Sequence, residues 1–124
     1  MPYSNYEILT VLKHIKSSYK DVVLCIEAVH SMPQQGVAST WTFGQHYGML
    51  NGFAMALGFK IEPITPMSWK KFYNLKGKKV SAKESNAETR DKVCSKYPEM
   101  NEIKFHSGIF DAILIATYYF ERKD

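Results

Sequence analysis

The sequence predicts an α/β layer fold, with parallel core strands and flanking helices, in a single domain over residues 1–124. Three observations carry this reading. "DVVLCIE" (21–27) is a continuous aliphatic and β-branched run that reads as a buried strand, and "FKIEPIT" (59–65) reads as a second strand. Helical spacing fills most of the rest, in the order α-β-α-β-α-α-α. Strands separated by a long helix are joined by a crossover, which makes them parallel. A chain of 124 residues, 45% hydrophobic, is large enough for one core and buries roughly two-thirds of its unfolded surface.

Each element has its own local reason. In "SNYEILTVLKHIKSSY" the apolar residues at 8, 9, 11, 12 and 15 have helical spacing, with Ser4 as N-cap and Glu7 closing a capping box. "ASTWTFGQHYGMLNGFAMALG" reads as a long helix stopped by Gly58. Its glycines at 44, 48 and 52 repeat a small-xxx-small spacing, interrupted by Gln45, His46 and Asn51. We read it as a soluble helix lying close against a sheet rather than a membrane span. Pro63 belongs near the end of the second strand, and "PMSWKKFYNL" is a short helix with Pro66 in its first turn. "SAKESNAETRDKVCSKYP" is a charged surface helix capped by Ser81 and stopped before Pro98. "SGIFDAILIATYYFER" is a final, mostly apolar helix.

Composition narrows the setting. The first dozen residues lack the basic start and long apolar core of a signal peptide. Two cysteines, Cys25 in a strand and Cys94 in a polar helix, have no metal-like spacing and fit a reduced intracellular protein. The formal net charge is +4, and "KKFYNLKGKKVSAK" (70–83) holds six lysines and no acid. A lysine run alone is most simply a solvated face. Interleaved Trp69, Phe72 and Tyr73 shift the reading toward a polyanion partner, most simply nucleic acid.

Two carboxylates stand out. Glu27 ends its strand, at the edge where open α/β sheets bind ligands. Asp111 lies in the expected first turn of an otherwise apolar helix, where the dipole alone would account for it. A helix burying its face against the sheet would carry Asp111 toward the edge that Glu27 occupies. Two acids meeting there need a cation, and hard oxygen ligands suit Mg²⁺ or Mn²⁺. His106 and Ser107 lie one turn upstream.

These residues sit in a stretch, "VVLCIEAVHSMPQQGVASTWTFGQHYGMLNGFAMALGFKIEPITPMSWKK", that resembles the central part of the RuvC-like Holliday junction resolvases, especially short phage and prophage members. The shared pattern is an Ile-Glu strand end, a histidine-methionine-proline loop, a Phe-Gly-x-x-x-Gly helix, a Thr-Pro-x-x-Trp-Lys segment and a closing "DAILIA" helix. The resemblance runs from residue 1 to about 122. It implies a ribonuclease H-like fold and metal-dependent, structure-selective cleavage of branched DNA, in the cytoplasm of a bacterial or phage-infected cell.

By resemblance, Glu27 and Asp111 are catalytic acids and ligands of Mg²⁺ or Mn²⁺, and His106 is a substitute ligand or proton-transfer group. Lys70, Lys71 and Lys83 belong to the basic stretch facing the phosphate backbone. His30, Gln34, Gln35 and Phe43 fall where the family enters the junction, with an aromatic ring free to stack on an unpaired base. The family also opens on a strand bearing Ile-Asp-x-Gly, whose aspartate is a metal ligand. No such motif occurs here, so the expectation is a resolvase domain truncated at the N-terminus, lacking its first three strands. Residues 22–26 then become a sheet edge, which predicts a homodimer or pairing with an N-terminal fragment. Two functions stay open: a junction endonuclease, or an inactive junction-binding or accessory module.

Overall fold

The computed structural model describes residues 4–28 and 36–122, apart from the Lys78 side chain. The fold is α/β and mostly helical. Its elements are α1 (Asn5–Ser18), β1 (Val23–Glu27), α2 (Val37–Ala56), β2 (Lys60–Ile64), α3 (Pro66–Phe72), α4 (Ala82–Lys96) and α5 (Ser107–Glu121), with short 3-10 turns at Gly77–Lys79 and Pro98–Glu102. The order matches the expected one. The chain forms two compact units, residues 1–63 and 64–124.

In the first unit, Ser4 caps α1 as expected: its Oγ accepts the Glu7 N–H at 3.2 Å. Leu12 from α1, Ala54 from α2 and Phe59 form the buried centre, with Ile8, Ile15, Leu24, Leu50, Phe53 and Ile61 packed around it. β1 and β2 are neighbours in a two-stranded sheet among the described residues. The Lys60 N–H donates to the Val22 carbonyl at 3.3 Å, so the two strands start side by side and run parallel.

α2 ends on a left-handed residue. Gly58 has φ +79°, its N–H donates to Met55 O at 3.1 Å, and the Phe59 N–H donates to Ala54 O at 2.9 Å. This is the paired-bond glycine stop, with the accompanying apolar contact made by Phe59 and Ala54 inside the core. The glycine stripe, however, corrects the sequence reading. A Cβ at Gly44, Gly48 or Gly52 would meet nothing within 4 Å among the described residues. The helix packs instead through Leu50, Phe53, Ala54 and Leu57.

In the second unit, Thr65 caps α3, with its Oγ1 accepting the Ser68 N–H, and Pro66 opens the helix. Ser81 caps α4 through the Glu84 N–H at 3.2 Å. Trp69, Val93, Phe110 and Leu114 are fully buried and tie α3, α4 and α5 together. α3 stops at Phe72, earlier than the expected Leu75, because Asn74 turns into the left-handed region at φ +57°. Among the described residues no helix is long and apolar enough to cross a membrane.

Candidate nucleic-acid interface and carboxylate positions

Glu27 is the last residue of β1 and is half-buried, as its strand-end reading required. It belongs to the first unit, whereas Asp111 and His106 belong to the second. Asp111 needs a correction. α5 begins at Ser107 and has no acid in its first turn, so Asp111 opens the second turn. Helix-dipole stabilisation falls off within the first turn, so the dipole is not what accounts for this acid.

His106 has a definite local task. It is the N-cap of α5, and its Nδ1 accepts the N–H of Gly108 at 3.1 Å and of Ile109 at 3.4 Å. An imidazole accepting at Nδ1 carries its proton on Nε2. His106 is thus set up to donate a hydrogen bond through Nε2, while its Nδ1 lone pair is committed to the helix cap. Gly108 makes room for this ring: a Cβ there would sit 3.1 Å from His106 Cε1.

Among the described residues no three His, Cys, Asp or Glu side chains gather into a group able to hold a metal ion. Glu27 and Asp111 are hard oxygen donors of the kind Mg²⁺ uses.

The lysine stretch divides by position. Lys70 and Lys71 occupy the last turn of α3, where the helix dipole favours cations. Lys70 is half-buried: its Nζ lies 5.4 Å from the Trp69 ring centroid, and its Cδ lies beside Gly77, where an added Cβ would come within 3.8 Å. Lys71, Lys76, Lys79 and Lys83 are exposed. Two of the three interleaved aromatics have a different role from the one expected of them. Trp69 and Tyr73 are buried, and Phe72 packs edge-on against Tyr73 and Tyr118 at 5.1 and 5.2 Å. Trp69 and Tyr73 build the core beneath the lysines, whereas Phe72 is 45% exposed and is the one of the three rings left at the surface.

His30, Gln34 and Gln35 lie outside the described residues. Phe43 is half-buried and stacked on Tyr47 at 5.9 Å. The ring that α2 leaves in the open is Trp41, 73% exposed, beside an open cavity of about 560 Å³ lined by Val37, Thr40, Trp41, Gly44 and Gln45. Sequence reasoning passed over Trp41. Its signal was the absence of any charged residue across all of α2, which leaves no polar face to mark the outside.

The order and pairing of these elements define an α/β fold. A solved structure similar to this chain is that of T. thermophilus RuvC in complex with Holliday junction substrate. The two share 17% identity with a TM-score of 0.61, over 96% of this chain and 67% of that one. At this identity the likeness is one of fold. No protein-family model matches the chain, and no curated protein matches it.

Proposed function

We propose that this chain carries the core of a junction-directed endonuclease of the phage-type RuvC class that hydrolyses phosphodiester bonds in branched DNA. The observation that carries the reading is the fold likeness over 96% of the chain to a resolvase bound to a Holliday junction. The residues add to it. Glu27 stands at a strand end, Asp111 lies beyond the reach of the simplest helix-dipole explanation, and an acid-free lysine stretch supplies phosphate contacts.

On this reading Glu27 and Asp111 are ligands for Mg²⁺ or Mn²⁺. His106, at the start of α5, is a substitute ligand or a proton-transfer group. The partner is branched DNA, and the assembly is a homodimer or a complex with a fragment that extends the two-stranded sheet. The setting is the cytoplasm of a bacterial or phage-infected cell.

A second reading has its own support. The acid-free lysine stretch needs no metal to bind DNA, which suits an inactive junction-binding or accessory module. One experiment separates the two. Purified chain is mixed with a four-way junction and with linear duplex of the same sequence, with Mg²⁺, with Mn²⁺ and with chelator. Metal-dependent nicking confined to the junction supports the nuclease. Junction-selective binding without nicking supports the accessory module, and equal, weak binding to both DNAs removes both.

A further inference from the structure

A basic surface binds a phosphate backbone best when its charges are held in place, because ordering long side chains at the moment of binding costs affinity. Two carboxylates hold the lysine stretch on the second unit. Glu88 of α4 accepts the Lys76 backbone N–H through Oε1 at 3.1 Å, just ahead of the 3-10 turn. Glu121, at the end of α5, accepts the Tyr73 hydroxyl through Oε1 at 2.7 Å and Lys96 Nζ through Oε2 at 2.9 Å.

Tyr73 sits at a decisive point. It is the C-cap of α3, 5% exposed, and directly precedes the left-handed Asn74, where the chain leaves the helix with its lysines. Lys96 lies over the Tyr73 ring at 5.2 Å, so the same cation braces both partners of the hydrogen bond. The Tyr73 hydrogen bond and then Lys96 hold the Glu121 carboxyl below its ordinary range. Burial and then Glu121 push the Tyr73 hydroxyl up. The contact therefore stays phenol-to-carboxylate throughout the pH range of DNA-binding measurements. An exposed Lys–Glu pair contributes little to stability in general, which leaves room for another role.

We propose that Glu121 is a positioning residue for DNA binding: through Tyr73 it fixes the end of α3 and the turn behind it, so that Lys70, Lys71, Lys76 and Lys79 meet the phosphate backbone as a pre-set group. This rests on the reading of residues 70–83 as the DNA face. It makes a counter-intuitive claim about sign. Glu121 is an acid near a basic stretch, and on charge alone its removal strengthens polyanion binding. Positioning has the opposite effect.

The test uses Glu121→Ala, Glu121→Gln and Tyr73→Phe, with binding to a labelled four-way junction measured across a salt series. Glu121→Ala and Tyr73→Phe should weaken binding roughly three- to ten-fold and flatten the log–log salt slope by about one unit. Glu121→Gln makes the same charge change as Ala but keeps an oxygen for the Tyr73 hydroxyl, and should bind like the parent or tighter. A second measurement needs no DNA. Trypsin cleavage after Lys76 and Lys79, compared at matched unfolding free energy, should accelerate in the Ala and Phe variants and not in Gln. Ala and Gln variants that behave alike in trypsin cleavage overturn the positioning role whatever the turn binds. An unchanged salt slope after alanine replacement of Lys70, Lys71 and Lys83 instead removes the DNA reading, and the DNA half of this proposal with it.

Discussion

His106 Nδ1 accepts the Gly108 N–H at 3.1 Å, and the same glycine leaves the space in which the His106 ring lies. A histidine placed in the site by family pattern is thus also the N-cap of α5. The two roles can be pulled apart. His106→Ala should destabilise the fold by roughly 1 kcal/mol, the usual cost of losing an N-cap, while His106→Asn restores an acceptor and should be close to neutral. Gly108→Ala should resemble His106→Ala, because its Cβ displaces the ring. Urea unfolding midpoints read all three. Cleavage abolished in the stable Asn variant would then report chemistry rather than capping.

Gly58 makes a sharper stability prediction. At φ +79° it adopts a backbone that side chains resist, while the nearest atom to an added Cβ is the Lys16 Nζ, at an ordinary 3.7 Å. The cost of Gly58→Ala is therefore conformational, about 1–2 kcal/mol. Gly58→Asn should lose less, since asparagine tolerates this region. A shift of the unfolding midpoint in that order checks it.

Binding should be steeply salt-dependent. Replacing Lys70, Lys71 and Lys83 together with alanine should flatten the log–log slope by roughly two to three units, near 0.7–0.9 for each phosphate no longer neutralised. Competition with unlabelled duplex shows whether the remaining affinity keeps any preference for branched DNA. An unchanged slope would identify the run as a solvated face.

Glu27→Gln keeps the side-chain shape and removes the charge. If the chain cleaves, alone or completed by a fragment, this variant should lose cleavage and bind junctions as tightly as the parent, or tighter. Parent-like cleavage rates in a metal titration would take Glu27 out of the site.

Acid and base should reach the Tyr73–Glu121 contact from opposite sides. The folded-state pKa of Glu121 is lowered, so its contribution is fully present above the ordinary glutamate range. It fades as pH falls through the folded value. The Tyr73 hydroxyl is raised, so its contribution is intact below the ordinary phenol value of 10.0 and fades as pH rises beyond it. The stability difference between parent and Tyr73→Phe should form a plateau at neutral pH that shrinks at both ends, as followed by urea unfolding at fixed salt.

What could be read from the sequence was what is decided locally. Ser4, Ser81, Pro66 and Gly58 mark helix ends because a cap, a fixed φ or a left-handed residue acts within a few positions. Which face of a helix is buried depends on distant partners. α2 is apolar or small nearly all round, so its glycines pointed to close packing while Leu50, Phe53 and Ala54 make the contacts. Trp69 and Tyr73 were misjudged for a related reason. Alternation with lysine is compatible with a basic reading head or with a short helix whose inner side is core, and burial alone separates them. The strand-end position of Glu27 was legible because a β-branched run has a clear end. The capping task of His106 was hidden, since Ser107 is the more familiar cap residue.

The two tryptophans give the chain a pair of built-in optical reporters. Trp69 is 0% exposed in the second unit and Trp41 73% exposed in the first. The fluorescence of Trp69 should shift to the red when the second unit opens, whereas Trp41 already emits from water and will shift little. A base laid on Trp41 would quench it while the emission of Trp69 stays constant. Comparing Trp41→Phe with the parent therefore resolves, in one cuvette, whether DNA touches α2 or only the lysine turn.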